Sequence, residues 1–186
     1  MVSEFLEGSE ELTHAEIDDH VIDDALEVIR RMWDAGLAHR DVKPANVMLN
    51  DGRIVLIDVA FGSVRPTPWR QAVDLANMMV ILGLRVGAPR VYERALLQFA
   101  PEDIGEAFAA TRSVTLPSQS RSSLAIIKKD QGIDLVEEFR KLAPATEPIS
   151  IQRWSPRRQR LTAGAALVII FVVGQVITEF TGGGFL

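Results

Sequence analysis

The stretch HRDVKPANVML (39–49) carries an aspartate, a lysine and an asparagine at short spacing ahead of an apolar run. Asp41, beside a loop, can accept a proton from an attacking hydroxyl group. Lys43, two residues further on, can meet a negatively charged group in transfer along the same loop edge. Asn46 stands at the start of the apolar run and offers a neutral oxygen. The stretch therefore combines the residue types of a site for group transfer.

A second apolar run, RIVLID, ends at Asp58 and is joined to the first by Asn50-Asp51-Gly52. Because these linking residues accept the positive φ angles of a tight turn, the two runs are predicted to form a β-hairpin. The strand ends that carry Asn46 and Asp58 can then converge on one cation. Oxygen ligands of this kind favour magnesium, which keeps part of its coordination shell for phosphate oxygens. The predicted reaction is phosphoryl transfer to a hydroxyl-bearing substrate.

The segment 13–36 has apolar residues at helical spacing and is predicted to be an amphipathic helix, with a capping box at Thr13 and Glu16 and a C-cap at Gly36. Its acidic face is most simply solvated. Further helices are predicted over 69–87, 101–112 and 132–143, whereas SVTLPSQSRSS (113–123) is expected to be a loop. The predicted fold class is mainly α with a small β-hairpin.

The amino-acid composition restricts the kinds of metal site and binding partner that are expected. The 186 residues suit one domain with an appendage, and they include no cysteine and only three histidines. A zinc site based on cysteine or histidine is therefore not expected, and carboxylate or amide oxygens would hold any metal. The net charge of −5 argues against binding to nucleic acid.

The segment LTAGAALVIIFVVGQVIT (161–178) has no charged residue, and four arginines precede it in 153–160. As a helix it would span about 27 Å, close to the hydrocarbon core of a bilayer. We predict a single transmembrane helix, after a linker and basic juxtamembrane segment (144–160), with the body cytoplasmic and the tail (179–186) outside. The chain would then reside at the cell membrane with the lipid bilayer as a partner. The alternative is a buried apolar core helix.

The segment 39–46 resembles the catalytic loop of protein kinases and their relatives, and LID ending at Asp58 resembles their magnesium-binding strand. The resemblance implies a kinase-like C-terminal lobe over 1–143, with a hinge at 1–12, and the cofactors ATP and Mg²⁺. It assigns a role to each matching residue. Asp41 is the base or hydroxyl-orienting residue, Lys43 contacts the γ-phosphate, Asn46 and Asp58 bind magnesium, Asp74 braces the loop backbone, and His39 and Arg40 are framework.

The chain also departs from the kinase pattern. Val59-Ala60-Phe61-Gly62 follows Asp58 where the family has Phe-Gly, and the stretch from Gly62 to Trp69 is short for a regulated activation loop. These features are more similar to atypical relatives that act on small molecules, lipids or lipopolysaccharide. The later sequence resembles bacterial membrane proteins that carry a kinase-like domain ahead of transmembrane helices.

Upstream of His39 stand 38 residues without a glycine-rich loop or a strand lysine. The ATP-clamping N-terminal lobe is therefore expected from a longer N-terminus or from a second polypeptide. One hypothesis is a membrane-anchored phosphotransferase. The alternatives are a catalytically inactive kinase-like scaffold that binds a partner at the membrane, and a membrane adaptor in which the motif is a relic. A protein, sugar or lipid hydroxyl would each fit the site.

Overall fold

The computed structural model describes residues 8–111 and 115–146. All of them belong to the first of the two units into which the chain divides, Met1–Ile149. Within these residues the fold is mainly helical, with two small sheets. The helices are α1 (Asp19–Asp34), α2 (Pro68–Val86), α3 (Ala88–Ala95), α4 (Pro101–Ala110), α5 (Ser118–Gln131) and α6 (Leu135–Leu142). The strands are β1 (Glu10–Glu11), β2 (Leu37–Ala38), β3 (Val47–Asn50), β4 (Arg53–Leu56) and β5 (Ser63–Val64).

Helix α2 lies at the centre of the described helices and packs against all five others. Its sequence follows the predicted apolar pattern, and most of its length from Ala72 to Gly83 is buried. The helices predicted over 101–112 and 132–143 are confirmed as α4 and α6. Helix α3 was not predicted, although its Val91 and Ala95 are fully buried.

The predicted β-hairpin is confirmed. Strands β3 and β4 pair antiparallel with Asn50 opposite Arg53, so the turn consists of Asp51 and Gly52 alone. These residues have φ angles of 47° and 75°, the left-handed values that a two-residue hairpin turn requires. Strand β1 pairs with the other edge of β3, and β2 pairs with β5 in a separate two-stranded sheet.

The start of α1 differs from the prediction. The helix begins at Asp19, and the side chain of Asp18 caps it by accepting a hydrogen bond from the amide of Val21. The expected capping box at Thr13 and Glu16 is wrong. Its physical reason is tertiary: the guanidinium of Arg85 on α2 donates to the carbonyl groups of residues 12, 13 and 15, which holds that segment outside the helix.

The loop predicted over 113–123 is also wrong, because α5 begins at Ser118. Serine is often found in loops, since its hydroxyl competes for backbone groups. In α5 the hydroxyls of Ser122 and Ser123 instead donate to the carbonyls four residues earlier, which is compatible with the helix. Leu124 of the same helix packs partly buried against the core.

The prediction of a single-pass membrane protein needs correction, in fold class and in localisation. Among residues 8–111 and 115–146, no helix is both long enough and apolar enough to cross a bilayer. The longest, α2, has 19 residues, but Arg70, Asp74 and Arg85 interrupt its apolar sequence. The segment predicted to span the bilayer (161–178) lies outside the described residues. So do the predicted tail (179–186), most of the linker and the first part of the hinge.

Helix α6 is fastened to the core by an aromatic pair. The rings of Phe108 on α4 and Phe139 on α6 are stacked, with centroids 4.5 Å apart, and both side chains are almost completely buried. Gly83 on α2 makes room for Phe139, since a Cβ atom there would lie 2.9 Å from the ring. Three helices therefore meet at Phe139.

We expect Phe139→Ala to lower the free energy of unfolding by about 3–5 kcal/mol, because it removes a buried ring and leaves a cavity between three helices. The measurement is urea denaturation followed by circular dichroism. Leu97→Ala is the matched control, since Leu97 is 66% exposed, and it should change the value by no more than about 0.5 kcal/mol. A similar small effect of Phe139→Ala would contradict this packing role for α6.

Candidate functional site

Asp74 of α2 anchors the loop of residues 39–46, hereafter the 39–46 loop. The carboxylate accepts hydrogen bonds from the amide of His39 (2.6 Å) and the amide of Arg40 (2.9 Å). Arg40 has a φ angle of 70°, which is uncommon for a residue with a Cβ atom. This left-handed conformation lets two consecutive amides point at one side chain.

Burial dominates the electrostatics of Asp74, whose side chain is 1% exposed. Desolvation raises its pKa from 3.8 to about 6, although the two amide bonds favour the ionised form. The Arg40 guanidinium also lowers the pKa, and it donates a hydrogen bond to the Phe61 carbonyl (3.3 Å). Asp74, the predicted brace, thus contacts both predicted framework residues, His39 and Arg40.

His39 connects the 39–46 loop to the strand that leads to Asp58. Its Nε2 atom lies 3.0 Å from the carbonyl oxygen of Ile57. A carbonyl only accepts, so Nε2 carries the proton. Burial lowers the pKa of His39, opposed first by this hydrogen bond and then by the charges of Asp41 and Asp58. In the neutral ring Nδ1 then carries no proton, and it is buried with no hydrogen-bond partner in the part of the chain that the structure describes.

Asp41, Lys43 and Asn46 form one hydrogen-bonded cluster above this support. The Lys43 ammonium lies 2.6 Å from Asp41 Oδ2, and Asn46 Nδ2 donates to the same oxygen at 3.1 Å. Asn46 Nδ2 also donates to the Asp41 carbonyl at 2.9 Å. Both side-chain bonds use Oδ2, and within the described residues Asp41 Oδ1 takes no hydrogen bond. One carboxylate oxygen is therefore available to a further donor.

Asp58 stands just beyond β4 with a φ angle of 59° and an exposed side chain. The amide of Ile57 donates to the Asn46 carbonyl at 3.0 Å, which joins the backbone just before Asp58 to the end of the loop. The charge of Asp58 opposes the lowering of the His39 pKa by burial, and it adds to the rise in the Lys43 pKa that the hydrogen bond to Asp41 mainly causes. Asp58 therefore lies close enough to act electrostatically on the cluster, although no hydrogen bond joins them.

A magnesium ion would have few protein ligands at this site. No group of three or more His, Cys, Asp or Glu side chains among residues 8–111 and 115–146 could hold a metal ion. The side-chain nitrogen of Asn46 donates hydrogen bonds to Asp41, so the Asn46 Oδ1 atom is the one that could bind a metal. Asp58 offers a carboxylate. One amide oxygen and one carboxylate suit magnesium only if water and phosphate oxygens complete the shell.

Several residues around the site were not anticipated from the sequence. Gln119 of α5 reaches the loop, where its Oε1 accepts a hydrogen bond from the Ala45 amide at 3.4 Å. Asp24, assigned to a solvated acidic face, accepts a hydrogen bond from the Ile54 amide at 2.5 Å and ties α1 to β4. No sequence signal marks either residue, since each contact joins positions at least 30 apart.

Comparison of the chain with protein-family models, with characterised proteins and with solved structures finds no match. The kinase resemblance therefore rests on the short motif at 39–46 and on Asp58. The assigned residue roles, the cofactors and the second polypeptide remain predictions.

The raised pKa of Asp74 sets a pH dependence. The folded chain keeps a proton that the unfolded chain releases, since the pKa is about 6 in the fold against 3.8. The stability from this proton is complete below about pH 4 and is lost as the pH rises through about 6. Relative to Asp74→Asn, the natural chain should lose on the order of 3 kcal/mol of unfolding free energy between pH 4 and pH 7. Urea denaturation at several pH values measures the difference, and a difference independent of pH would contradict it.

Proposed function

We propose that the 39–46 loop and Asp58 form a phosphotransferase site, which transfers the γ-phosphoryl group of ATP to a hydroxyl group of a substrate. The bond between the γ-phosphorus and the ADP oxygen breaks, and a bond from the same phosphorus to the substrate oxygen forms. The hydroxyl proton passes to Asp41. The observation that carries the proposal is the convergence of Lys43 and Asn46 on Asp41 Oδ2 at 2.6 and 3.1 Å.

Asp41 suits the part of the group that orients the hydroxyl. Its Oδ2 atom is held by two donors, so the carboxylate has a fixed direction, while Oδ1 takes no hydrogen bond within the described residues. The side chain is 22% exposed, so a substrate can reach it. A positioned base within hydrogen-bond distance of the hydroxyl accelerates transfer by about 10²–10⁴-fold.

Lys43 suits the part of the phosphate contact. The hydrogen bond to Asp41 raises the pKa of its ammonium group, which keeps the side chain charged at neutral pH. Its side chain is 31% exposed and extends from the loop, so it can turn towards an incoming phosphate. Lysine contributes a compact positive charge with three donors, which suits the γ-phosphate.

Asn46 and Asp58 would hold magnesium, which neutralises charge on the phosphate oxygens when it is bound. The Ile57–Asn46 backbone bond and the His39–Ile57 contact fix the two ligand-bearing segments to each other. A second polypeptide would cover the nucleotide base and sugar.

Asp58→Asn tests the metal role. Asparagine tolerates the left-handed conformation of Asp58, so the variant removes a charge without straining the backbone. We expect magnesium-dependent binding of a fluorescent ATP analogue to weaken at least about tenfold. Asp51→Asn is the matched control at the other end of the hairpin and should bind as the natural chain does. Equal binding by both variants would refute the role of Asp58.

Asp41→Asn tests the hydroxyl role. We expect ATP turnover to fall by about 100-fold or more, while magnesium-dependent nucleotide binding is retained, because Asp41 is not a metal ligand in the proposal. Release of ADP and equilibrium binding are measured on the same preparations. Unchanged turnover would exclude Asp41 as the base. A natural chain that binds no nucleotide in the presence of magnesium, even when an N-terminal kinase lobe is supplied, would favour the inactive scaffold instead.

A further inference from the structure

A concave region lies beside the 39–46 loop. Its walls come mainly from α1, β2, β4 and β5. It is a groove of about 700 Å³, hereafter the α1–β5 groove. Most of its walls are aliphatic, with Val28 and Met32 from α1, Ile54 from β4 and Val64 from β5. This volume and lining fall within the range of sites that bind small molecules, about 300–1,000 Å³.

Exposed apolar side chains are concentrated at the groove and in the segment beside it, and Leu37, Val59 and Val64 belong to the groove lining itself. Nine large hydrophobic side chains are exposed among the described residues, and five of them lie in β2, β5 or the segment that follows β4. They are Leu37, Ile57, Val59, Phe61 and Val64. Val64 alone is 76% exposed. Clustering of this kind marks a binding surface, because exposed apolar residues on a monomer are usually scattered.

The groove has one permanent charge. Arg31 of α1 contributes to its lining, and none of the described Asp or Glu residues does. No salt bridge within residues 8–111 and 115–146 involves Arg31. Its guanidinium is therefore available to an anion in a chain whose net charge is −5. An anionic group on an apolar body would match this combination of surfaces.

The wall of the groove also has unused hydrogen-bonding capacity. His39 Nδ1 and Ser63 Oγ are buried and have no hydrogen-bond partner within residues 8–111 and 115–146, and both residues contribute to the lining. Buried polar atoms in folded proteins are almost always paired, with protein, water or ligand. His39 and Ser63 therefore bring polar atoms to a wall that is otherwise mostly aliphatic.

We propose that the α1–β5 groove binds a small amphiphilic carboxylate, with the carboxylate on Arg31 and the aliphatic body against Met32, Ile54 and Val64. Charge complementarity favours this occupant, because the lining formed by the described residues offers one guanidinium and no acid, which matches one carboxylate. The site goes beyond the proposed phosphotransferase function and does not depend on it. It uses none of Asp41, Lys43, Asn46 and Asp58.

Decanoate is the probe, used with the full chain below the concentration at which decanoate forms micelles. We expect Arg31→Gln to weaken decanoate binding about fivefold, as the loss of a partly exposed ion pair predicts, and to leave the binding of 1-decanol unchanged. Arg53→Gln is the matched control, since Arg53 is an exposed arginine outside the groove. Isothermal titration calorimetry gives the affinities.

Methyl-labelled methionine gives an independent readout of position. Met32 lines the groove, whereas Met78 and Met79 are fully buried in the core. Decanoate should shift the Met32 methyl resonance and leave the other two in place. Val64→Asp should abolish that shift, because it adds a negative charge beside the aliphatic wall. Leu97→Asp, which changes a comparably exposed residue outside the groove, should preserve it.

Three results would overturn the proposal. The first is equal decanoate affinity in Arg31→Gln and Arg53→Gln, and the second is a Met32 resonance that does not respond to decanoate. The third is a dimer, detected by light scattering, that Val64→Asp dissociates and Leu97→Asp does not, since a second copy would then occupy the groove. Activity is not needed for any of these measurements, so loss of the phosphotransferase proposal would leave their interpretation unchanged.

Discussion

The geometry of the site depends on one buried carboxylate. The Asp74 carboxylate accepts hydrogen bonds from the amides of His39 and Arg40. The left-handed φ angle of Arg40, 70°, lets both amides point at it. The arrangement carries two costs, the desolvation of an acid and the strain of a non-glycine residue in that region. Two short hydrogen bonds and the packing of α2 among five helices offset them. The central helix thereby fixes where the 39–46 loop begins.

Asp74 fixes the start of the 39–46 loop, and a short series of hydrogen bonds fixes the rest of the site relative to it. His39 reaches the Ile57 carbonyl, and the Ile57 amide reaches the Asn46 carbonyl, so the loop and the end of β4 hold each other at two points. The hairpin adds a third constraint, because its two-residue turn fixes the register of β3 and β4. Asn46 and Asp58 are far apart in the sequence yet flank the same pair of contacts. Their proximity follows from backbone bonds.

Local sequence predicted the elements whose causes are local. The Asp51-Gly52 turn supplied the φ angles of the hairpin, and periodic apolar residues located α2, α4 and α6. Prediction from local sequence failed where contacts between distant residues determine the structure. Arg85 keeps the segment before α1 out of the helix, although it lies 70 or more positions away. The residue types of the site were also readable from the motif. The pairing of Lys43 with Asp41 was not, and neither was the α1–β5 groove, whose lining comes from several separate elements.

The charges around Asp58 give a physical reason for a metal in the proposed reaction. Lys43 is paired with Asp41 at 2.6 Å, so these two side chains largely neutralise each other. Asp58 has no salt bridge among the described residues and remains a negative charge beside them. A polyphosphate brought to this place would be repelled by Asp58 and could draw Lys43 away from Asp41 only at a cost. A divalent cation held by Asp58 would offset the repulsion between this carboxylate and the phosphates, and it would reduce the pull of the phosphates on Lys43. The same carboxylate that would exclude bare ATP would therefore select the magnesium complex.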